Sequence, residues 1–183
     1  PGFNHYQQEP FSALARRVKD SGGKVILVLR IMKNADIEEA LNSPDSRSKI
    51  IQSVVTTVSQ RNFDGINVDI EYVGTPPSAT TKNLIELVRE LKSTCQKAVT
   101  NCELSIDVYA DSAKNSRIWD LQLLSQLVDH IIIMGYDFFR PSSTHAGPVS
   151  PLGGVEKYGY DLKTSIADFV AKIPAEKIVL GVP

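Results

Sequence analysis

One ten-residue stretch decides the fold of this sequence: Phe63-Asp64-Gly65-Ile66-Asn67-Val68-Asp69-Ile70-Glu71-Tyr72. Side chains alternate between the two faces of a β-strand. The polar side chains of Asn67, Asp69 and Glu71 therefore share one face, and the apolar side chains between them share the other. Since the apolar face can pack against helices, we expect the polar face to point into a barrel or a cleft.

Strands and helices alternate on both sides of this stretch. Apolar segments predict strands at 24–31, 65–72, 104–109, 130–136 and 177–182. Helical periodicity and helix-end residues predict helices at 11–20, 45–60, 81–99, 118–127 and 162–172. Apolar strands that alternate with helices are typical of a parallel sheet covered on both sides. The pattern predicts an α/β protein, either a (β/α)8 barrel or a doubly wound sheet.

The length of 183 residues fits a single domain. A complete (β/α)8 barrel has eight strands and typically about 250 residues. In the barrel interpretation, residues 1–183 are one incomplete barrel domain. An open barrel exposes apolar strand edges, so we expect the isolated chain to be poorly soluble or inactive.

Composition argues against several classes of function. The formal net charge is −1 and the basic residues are scattered, whereas nucleic-acid binding needs clustered Lys and Arg. No apolar run approaches the roughly 20 residues of a membrane-spanning helix. Cys95 and Cys102 are either free thiols or a disulfide, and a disulfide would indicate an oxidising compartment. Without a CxxC motif or a Cys/His cluster, we expect no structural zinc site.

The acidic strand is the candidate site. Buried carboxylates are costly unless they are paired or hydrogen-bonded, and like charges repel. One carboxyl of the Asp69 and Glu71 pair is therefore expected to hold a proton near neutral pH, as a general acid requires. Glu71 is nearest the carboxyl end of the strand, where barrel enzymes place their active sites. Two other interpretations stay open: a solvated edge strand, and an Mg²⁺ or Ca²⁺ site built from these oxygens. Arg30, on a buried strand, is expected to need a partner.

Three motifs resemble glycoside hydrolase family 18. The run from Asp64 to Glu71 is similar to the family's Asp-Gly-x-Asp-x-Asp-x-Glu signature on strand 4. The segment Met134-Gly135-Tyr136-Asp137 resembles its Met-x-Tyr-Asp motif at the end of strand 6. Residues 177–183, Lys-Ile-Val-Leu-Gly-Val-Pro, resemble the start of its strand 7. The resemblance implies a partial (β/α)8 barrel that contains about strands 3 to 7.

Two departures from the family pattern are present. Asn67 stands where the family has its middle Asp, and Val28-Leu29-Arg30-Ile31 replaces the Ser-x-Gly-Gly of strand 3. The Asn form resembles di-N-acetylchitobiases and the cortex-lytic N-acetylglucosaminidases of spore-forming bacteria, and Asp107 also fits the chitobiase pattern. In the common pattern two neighbouring Asp residues tend to share a proton. Because Asn67 carries no charge, we expect the titration of Asp69 to be less strongly coupled to position 67 than in proteins with Asp there. Asn67→Asp should therefore shift the pH–rate profile.

The resemblance implies a retaining, substrate-assisted mechanism, in which the 2-acetamido oxygen of the substrate attacks the anomeric carbon. Glu71 would protonate the glycosidic oxygen and later activate water. Asp69 would accept a hydrogen bond from the acetamido N–H, and Tyr136 would donate one to the acetamido oxygen. Asp137 would bind the distorted sugar, and Asn67 would hold Asp69 by a neutral hydrogen bond.

Met134 and Tyr72 are two further candidates for contact with the sugar, although each is also compatible with a purely structural role. The implied substrate is β-linked N-acetylglucosamine, in chitin oligomers or in peptidoglycan glycan, and no cofactor or metal is implied. The implied location is extracellular or lumenal. Two competing functions are a non-catalytic sugar-binding protein and a metal-dependent barrel hydrolase.

Overall fold

The structure, a computed structural model, describes residues 8–183. Within that range one parallel sheet contains five strands in chain order: β1 (Ile26–Ile31), β2 (Gly65–Ile70), β3 (Glu103–Tyr109), β4 (His130–Met134) and β5 (Ile178–Gly181). The predicted α/β architecture and all five predicted strands are confirmed. A doubly wound sheet reverses its strand order at a switch point, whereas this sheet adds each strand beside the previous one, as a barrel does.

The helices are α1 (Phe11–Asp20), α2 (Asn34–Asn42), α3 (Pro44–Gln60), α4 (Thr80–Ala98), α5 (Leu121–Leu127), α6 (Val155–Tyr158) and α7 (Leu162–Val170). A 3₁₀ turn, Ala175–Lys177, precedes β5. Helices α2 and α6 were not predicted from the sequence. Helix α2 has no side-chain cap at its N-terminus and ends where Ser43 caps α3, so the chain gives little local signal for it.

Caps also explain where two predicted helices begin. The predicted helix 118–127 starts only at Leu121, because the Asp120 side chain accepts a hydrogen bond from the Leu123 N–H at 3.0 Å. Helix α3 begins one residue earlier than predicted, at Pro44, since proline suits the first helical turn.

The sheet has two chemically different faces. The outer face packs against the helices and consists of fully buried aliphatic side chains, among them Ile66, Val68 and Ile70 of β2. Gly65 begins β2 at a close approach to β3, where an added Cβ would lie 2.2 Å from the Glu103 carbonyl oxygen. Asp64 just before it has a structural role, because its carboxylate accepts from the Val25 N–H and from Lys19 Nζ. The inner face contains the alternate residues of each strand, such as Asn67 and Asp69 of β2, and includes the candidate site.

Cys95 and Cys102 form a disulfide that links the last turn of α4 to the segment before β3. This resolves the alternatives that the sequence left open. Among residues 8–183, no helix is both long enough and apolar enough to cross a membrane.

Candidate active site

Strand register places the polar side chains of three strands side by side on the inner face. Arg30 of β1 pairs with Asp69 of β2, and Asn67 of β2 pairs with Ser105 of β3. Farther along, Tyr109 of β3 pairs with Met134 of β4. A parallel sheet with unbroken register therefore brings these side chains to one surface.

Arg30 contacts two carboxylates, Asp69 of β2 and Glu71 just beyond it. Its Nε is 3.0 Å from Asp69 Oδ2, and its Nη2 is 3.6 Å from Glu71 Oε1. The Glu71 side chain is only 14% exposed, whereas that of Arg30 is 58% exposed. Burial and the charge of Glu71 raise the pKa of Asp69, while Arg30 opposes the rise. The partner that Arg30 was expected to need is thus the acidic pair.

Glu71 keeps its strand position beyond the last residue of β2. Its backbone N–H donates to the Ile31 carbonyl oxygen at 3.0 Å, so the pairing with β1 continues for one residue. The Glu71 side chain therefore retains the inner-face direction set by Asn67 and Asp69. Glu71 and Asp69 are brought together at the carboxyl end of the sheet, as the sequence predicted.

Asn67 faces β3 and does not hold Asp69. Its Nδ2 donates to Ser105 Oγ at 3.0 Å and to Asp107 Oδ1 at 2.9 Å. Both amide protons are thereby used, and its Oδ1, like Asp69 Oδ1, is buried without a hydrogen-bond partner. The predicted hydrogen bond from Asn67 to Asp69 is wrong, because an asparagine can donate to a carboxylate only through Nδ2.

Asp107 is a third inner-face carboxyl that the sequence reasoning did not include in the site. Burial raises its pKa to about 6, the hydrogen bond from Asn67 opposes the rise, and the charges of Asp69 and Glu71 add to it. The charge of Arg30 acts in the opposite direction and lowers the pKa of Asp107. The alternation of side chains along β3 was the available signal, since Ser105, Asp107 and Tyr109 must share one face.

Tyr109 is the second residue that the sequence reasoning missed. Burial, the charge of Glu71 and a hydrogen bond to that carboxylate raise the pKa of Tyr109 to about 12. On the other side, the Arg117 guanidinium lies 4.9 Å from the centre of the Tyr109 ring. Tyr109 therefore joins the acidic cluster to the neighbouring cleft.

The cleft of about 390 Å³ beside the acidic cluster is lined by three of the predicted site residues, Met134, Tyr136 and Asp137. Burial raises the pKa of Tyr136, and the charges of Asp107, Asp69 and Glu71 add to the rise. Tyr136 therefore carries its proton at neutral pH and is available as a donor. Met134 is almost fully buried in the wall.

Asp137 turns the chain out of β4. It has a left-handed backbone with φ of 60°, and its Oδ2 lies 3.6 Å from Arg140 Nε on a half-exposed side chain. Gly135 permits the close approach of β5, because an added Cβ would lie 2.5 Å from the Gly181 carbonyl oxygen. This geometry leaves Asp137 at the cleft and open to a ligand.

Tyr72 is not part of this site. It follows Glu71 and therefore has the opposite parity, so its ring is buried on the outer side. Its hydroxyl donates to Glu38 Oε1 of α2 at 2.5 Å. Tyr72 therefore has a structural role in packing the segment after β2 against α2, and the expectation that it contacts the sugar is wrong.

The carboxylates are not arranged as ligands of a divalent metal ion. Within residues 8–183, no group of three or more His, Cys, Asp or Glu side chains is arranged to hold a metal ion. The guanidinium of Arg30 lies where a cation would bridge Asp69 and Glu71. The arrangement instead suits proton transfer, because the nearly buried carboxyl of Glu71 lies beside Asp69 and accepts a hydrogen bond from Tyr109, a protonated tyrosine that lines the cleft.

The chain belongs to the glycosyl hydrolases family 18, whose family model matches residues 4–183. It is 28% identical over 151 residues to the putative sporulation-specific glycosylase YdhD of Bacillus subtilis, covering 80% of this chain and 33% of that protein. It is 33% identical over 153 residues to a probable endochitinase of Caenorhabditis elegans, covering 77% of this chain and 24% of that protein.

The fold is shared with solved structures of the same family. A family 18 chitinase from Cycas revoluta, solved in complex with (GlcNAc)3, superposes with a TM-score of 0.84 and 21% identity, over 100% of this chain and 56% of that one. The five-stranded sheet is therefore part of a (β/α)8 barrel. The chain spans a quarter to a third of the length of these two relatives and about half of that solved chain.

Proposed function

We propose that this chain is the central part of a retaining glycoside hydrolase that cleaves β-linked N-acetylglucosamine glycans by substrate-assisted catalysis. The observation that carries the proposal is the position of Glu71. Its nearly buried carboxyl lies at the carboxyl end of β2, beside Asp69 and Tyr109, and next to a cleft lined by Tyr136. Family membership supports the reaction class.

Glu71 donates its proton to the glycosidic oxygen as the bond to the anomeric carbon breaks. The acetamido oxygen of the substrate forms a bond to that carbon, and the product of this step is a cyclic oxazolinium ion. Glu71, now ionised, takes a proton from water, and the water oxygen attacks the same carbon from the face that the leaving group occupied. The bond between that carbon and the acetamido oxygen breaks in this step, which restores the acetamido group. Two displacements at one carbon retain its configuration.

Asp69 and Tyr136 hold the acetamido group during these steps. Asp69 accepts a hydrogen bond from the acetamido N–H and stabilises the positive charge of the ring. Its Oδ1 has no hydrogen-bond partner, so rotation of the carboxyl presents an acceptor while Arg30 keeps contact with the other oxygen. Tyr136 donates to the acetamido oxygen, and its raised pKa keeps that proton in place. Asp137, half exposed at the cleft, binds sugar hydroxyls.

The relatives support the proposed substrate class. They include a protein named as a putative sporulation-specific glycosylase and one named as a probable endochitinase, and the Cycas revoluta chitinase was solved in complex with (GlcNAc)3. Chitin oligomers and peptidoglycan glycan both contain β-linked N-acetylglucosamine. We propose this shared unit as the sugar whose bond is cleaved.

We further propose an extracellular or lumenal location, which the disulfide between Cys95 and Cys102 supports. The domain that acts is proposed to be larger than residues 1–183. Apolar side chains such as Val28 and Val179 are about half exposed on the inner face, where a complete barrel would cover them. A 183-residue protein that is monodisperse, melts cooperatively and hydrolyses substrate would contradict this.

A non-catalytic sugar-binding protein is the second candidate, and the ion pairs of Arg30 favour it. The Arg30 guanidinium opposes the rise in the pKa of Asp69, and carboxyls engaged by a guanidinium suit binding better than proton donation. The two candidates predict opposite results with 4-methylumbelliferyl N-acetylglucosamine oligomers of increasing length.

The test uses the full-length protein with these substrates, beside calorimetric binding of the unlabelled oligomers. Release of the fluorophore supports the hydrolase, and the preferred oligomer length distinguishes exo from endo action. Binding without release supports the sugar-binding protein. Activity that is lost with chelator and restored by a divalent metal would contradict the proposed mechanism.

A further inference from the structure

Asp107 is an inner-face carboxyl near Glu71 to which the proposed mechanism assigns no step. Its Oδ1 accepts the Asn67 amide at 2.9 Å, and Asn67 also donates to Ser105. A carboxylate that is partly buried beside two others is costly to maintain, so its presence requires an explanation. Packing alone does not supply one, because asparagine would fill the same space without the charge.

We propose that Asp107 is a positioning residue of this site: it fixes the Asn67 amide and, when ionised, supplies negative potential to the reaction centre. The inference rests on the proposed function. Asp107 then acts through its neighbours and does not touch the reacting atoms. Ionised Asp107 favours the positive charge that develops on the sugar ring.

The charged and titratable groups around Asp107 come from three directions. Arg30 of β1 lowers its pKa, whereas Asp69 and Glu71 of the β2 segment raise it. Beyond β4, Asp107 contributes to the raised pKa of Tyr136. A pKa of about 6 for Asp107 means that this group changes charge within the range in which most hydrolases are assayed.

Asn67 of β2 and Asp107 of β3 form a hydrogen-bonded pair with a single carboxylate, which lies on β3. If Asn67 were Asp and Asp107 were Asn, the same pair would carry the same charge with the carboxylate on β2. Exchange of the two residues is therefore a matched control, because it preserves the net charge and the capacity for a hydrogen bond between the strands.

The experiment measures kcat/KM from pH 4.5 to 8 for the full-length protein and for the variants Asp107→Asn, Asn67→Asp and the exchange variant. Asp107→Asn removes a negative charge, so the acidic limb of the pH profile of kcat/KM should move to lower pH by about one unit. Asn67→Asp adds a charge and should move it to higher pH. The exchange variant should return the limb towards that of the unaltered protein.

Asp129→Asn is the control for a merely structural effect. Asp129 lies at the opposite end of the sheet, where it accepts from Lys92 Nζ and from the Leu104 N–H. This variant should leave the midpoint of the acidic limb unchanged. A fall in activity for Asp107→Asn that is equal at every pH would overturn the proposal.

A second readout does not depend on activity. Because the pKa of Asp107 is raised in the folded protein, its stabilising contribution is full below its unfolded value of about 3.9 and is lost as pH rises through about 6. Asp107→Asn should therefore gain stability relative to the unaltered protein between pH 5 and pH 8 in urea unfolding. A difference that stays constant with pH would contradict the inference.

Failure of the proposed function is distinguishable from failure of this inference. If the unaltered protein binds oligomers without hydrolysing them, the hydrolase is refuted and the same variants are compared by the pH dependence of oligomer binding. A shift of that dependence in the predicted order supports Asp107 as a positioning residue, and identical profiles overturn it.

Discussion

Arg30 Nε lies 3.0 Å from Oδ2 of Asp69, its register partner on the neighbouring strand. The strand that contains Arg30 is the one that departs from the family's Ser-x-Gly-Gly pattern. Its guanidinium also reaches Glu71 at 3.6 Å, so one cation serves two carboxylates. This pairing offsets part of the negative charge on the inner face.

Arg30→Met should raise the pKa of Asp69 further, since Arg30 is the group that opposes the rise. In the proposed mechanism Asp69 works in its ionised form. The acidic limb of kcat/KM should therefore move to higher pH, and activity near pH 5 should fall more than activity near pH 7.

Arg30→Lys is the matched control, because it retains the positive charge and should keep most of the limb in place. Steady-state rates from pH 4.5 to 8 make the comparison. An identical midpoint for the Met and Lys variants would show that the charge of Arg30 does not control Asp69.

Tyr72 and Tyr136 were both candidates for contact with the sugar, but only Tyr136 lines the cleft, whereas Tyr72 pairs with Glu38. Tyr136→Phe should lower kcat by about 100-fold, as the loss of one hydrogen-bond donor to a developing charge does in other enzymes. Tyr72→Phe should leave kcat unchanged and lower stability modestly, because it removes the hydrogen bond to Glu38. Kinetics and thermal unfolding of both variants test this assignment. Equal losses of kcat would contradict it.

The disulfide should contribute to stability. The cysteines are separated by only seven positions, and closure of so short a loop is worth about 2 kcal/mol in the chain-entropy account. A Cys95→Ala and Cys102→Ala double variant should unfold at lower urea concentration and keep the kcat of the parent, since the disulfide lies at the end of the sheet away from Glu71. Unchanged stability would mean that the unfolded chain gains little freedom.

The sequence predicted the strands well because a buried parallel sheet favours apolar segments such as 24–31 and 130–136. The segment 65–72 instead alternates polar and apolar side chains, which is typical of a strand with two different faces. The parity of β2 predicted which side Asn67, Asp69 and Glu71 share, and the structure confirms that they share the inner face. The same parity also placed Tyr72 on the other face. The resemblance to the family had suggested a contact with sugar for Tyr72 that strand geometry does not allow.

Relationships between strands were beyond what one strand pattern can predict. Asn67 donates to β3 because register places Ser105 and Asp107 beside it, and register depends on all five strands together. Arg30 finds its partners in the same way. Alternation along β3 could have placed Asp107 and Tyr109 on one face, but their contacts with Asn67 and Glu71 depend on how the strands lie side by side.

The central claim is that Glu71 is the catalytic acid, and the most direct measurement is kcat for Glu71→Gln on a 4-methylumbelliferyl N-acetylglucosamine oligomer. Glu86→Gln, on the exposed side of α4 beside Arg89, is the matched control in the full-length protein. The account predicts that Glu71→Gln lowers kcat by about 10²–10⁴-fold while oligomer binding persists and Glu86→Gln behaves as the parent. A Glu71→Gln variant that hydrolyses substrate at the parental rate would contradict it.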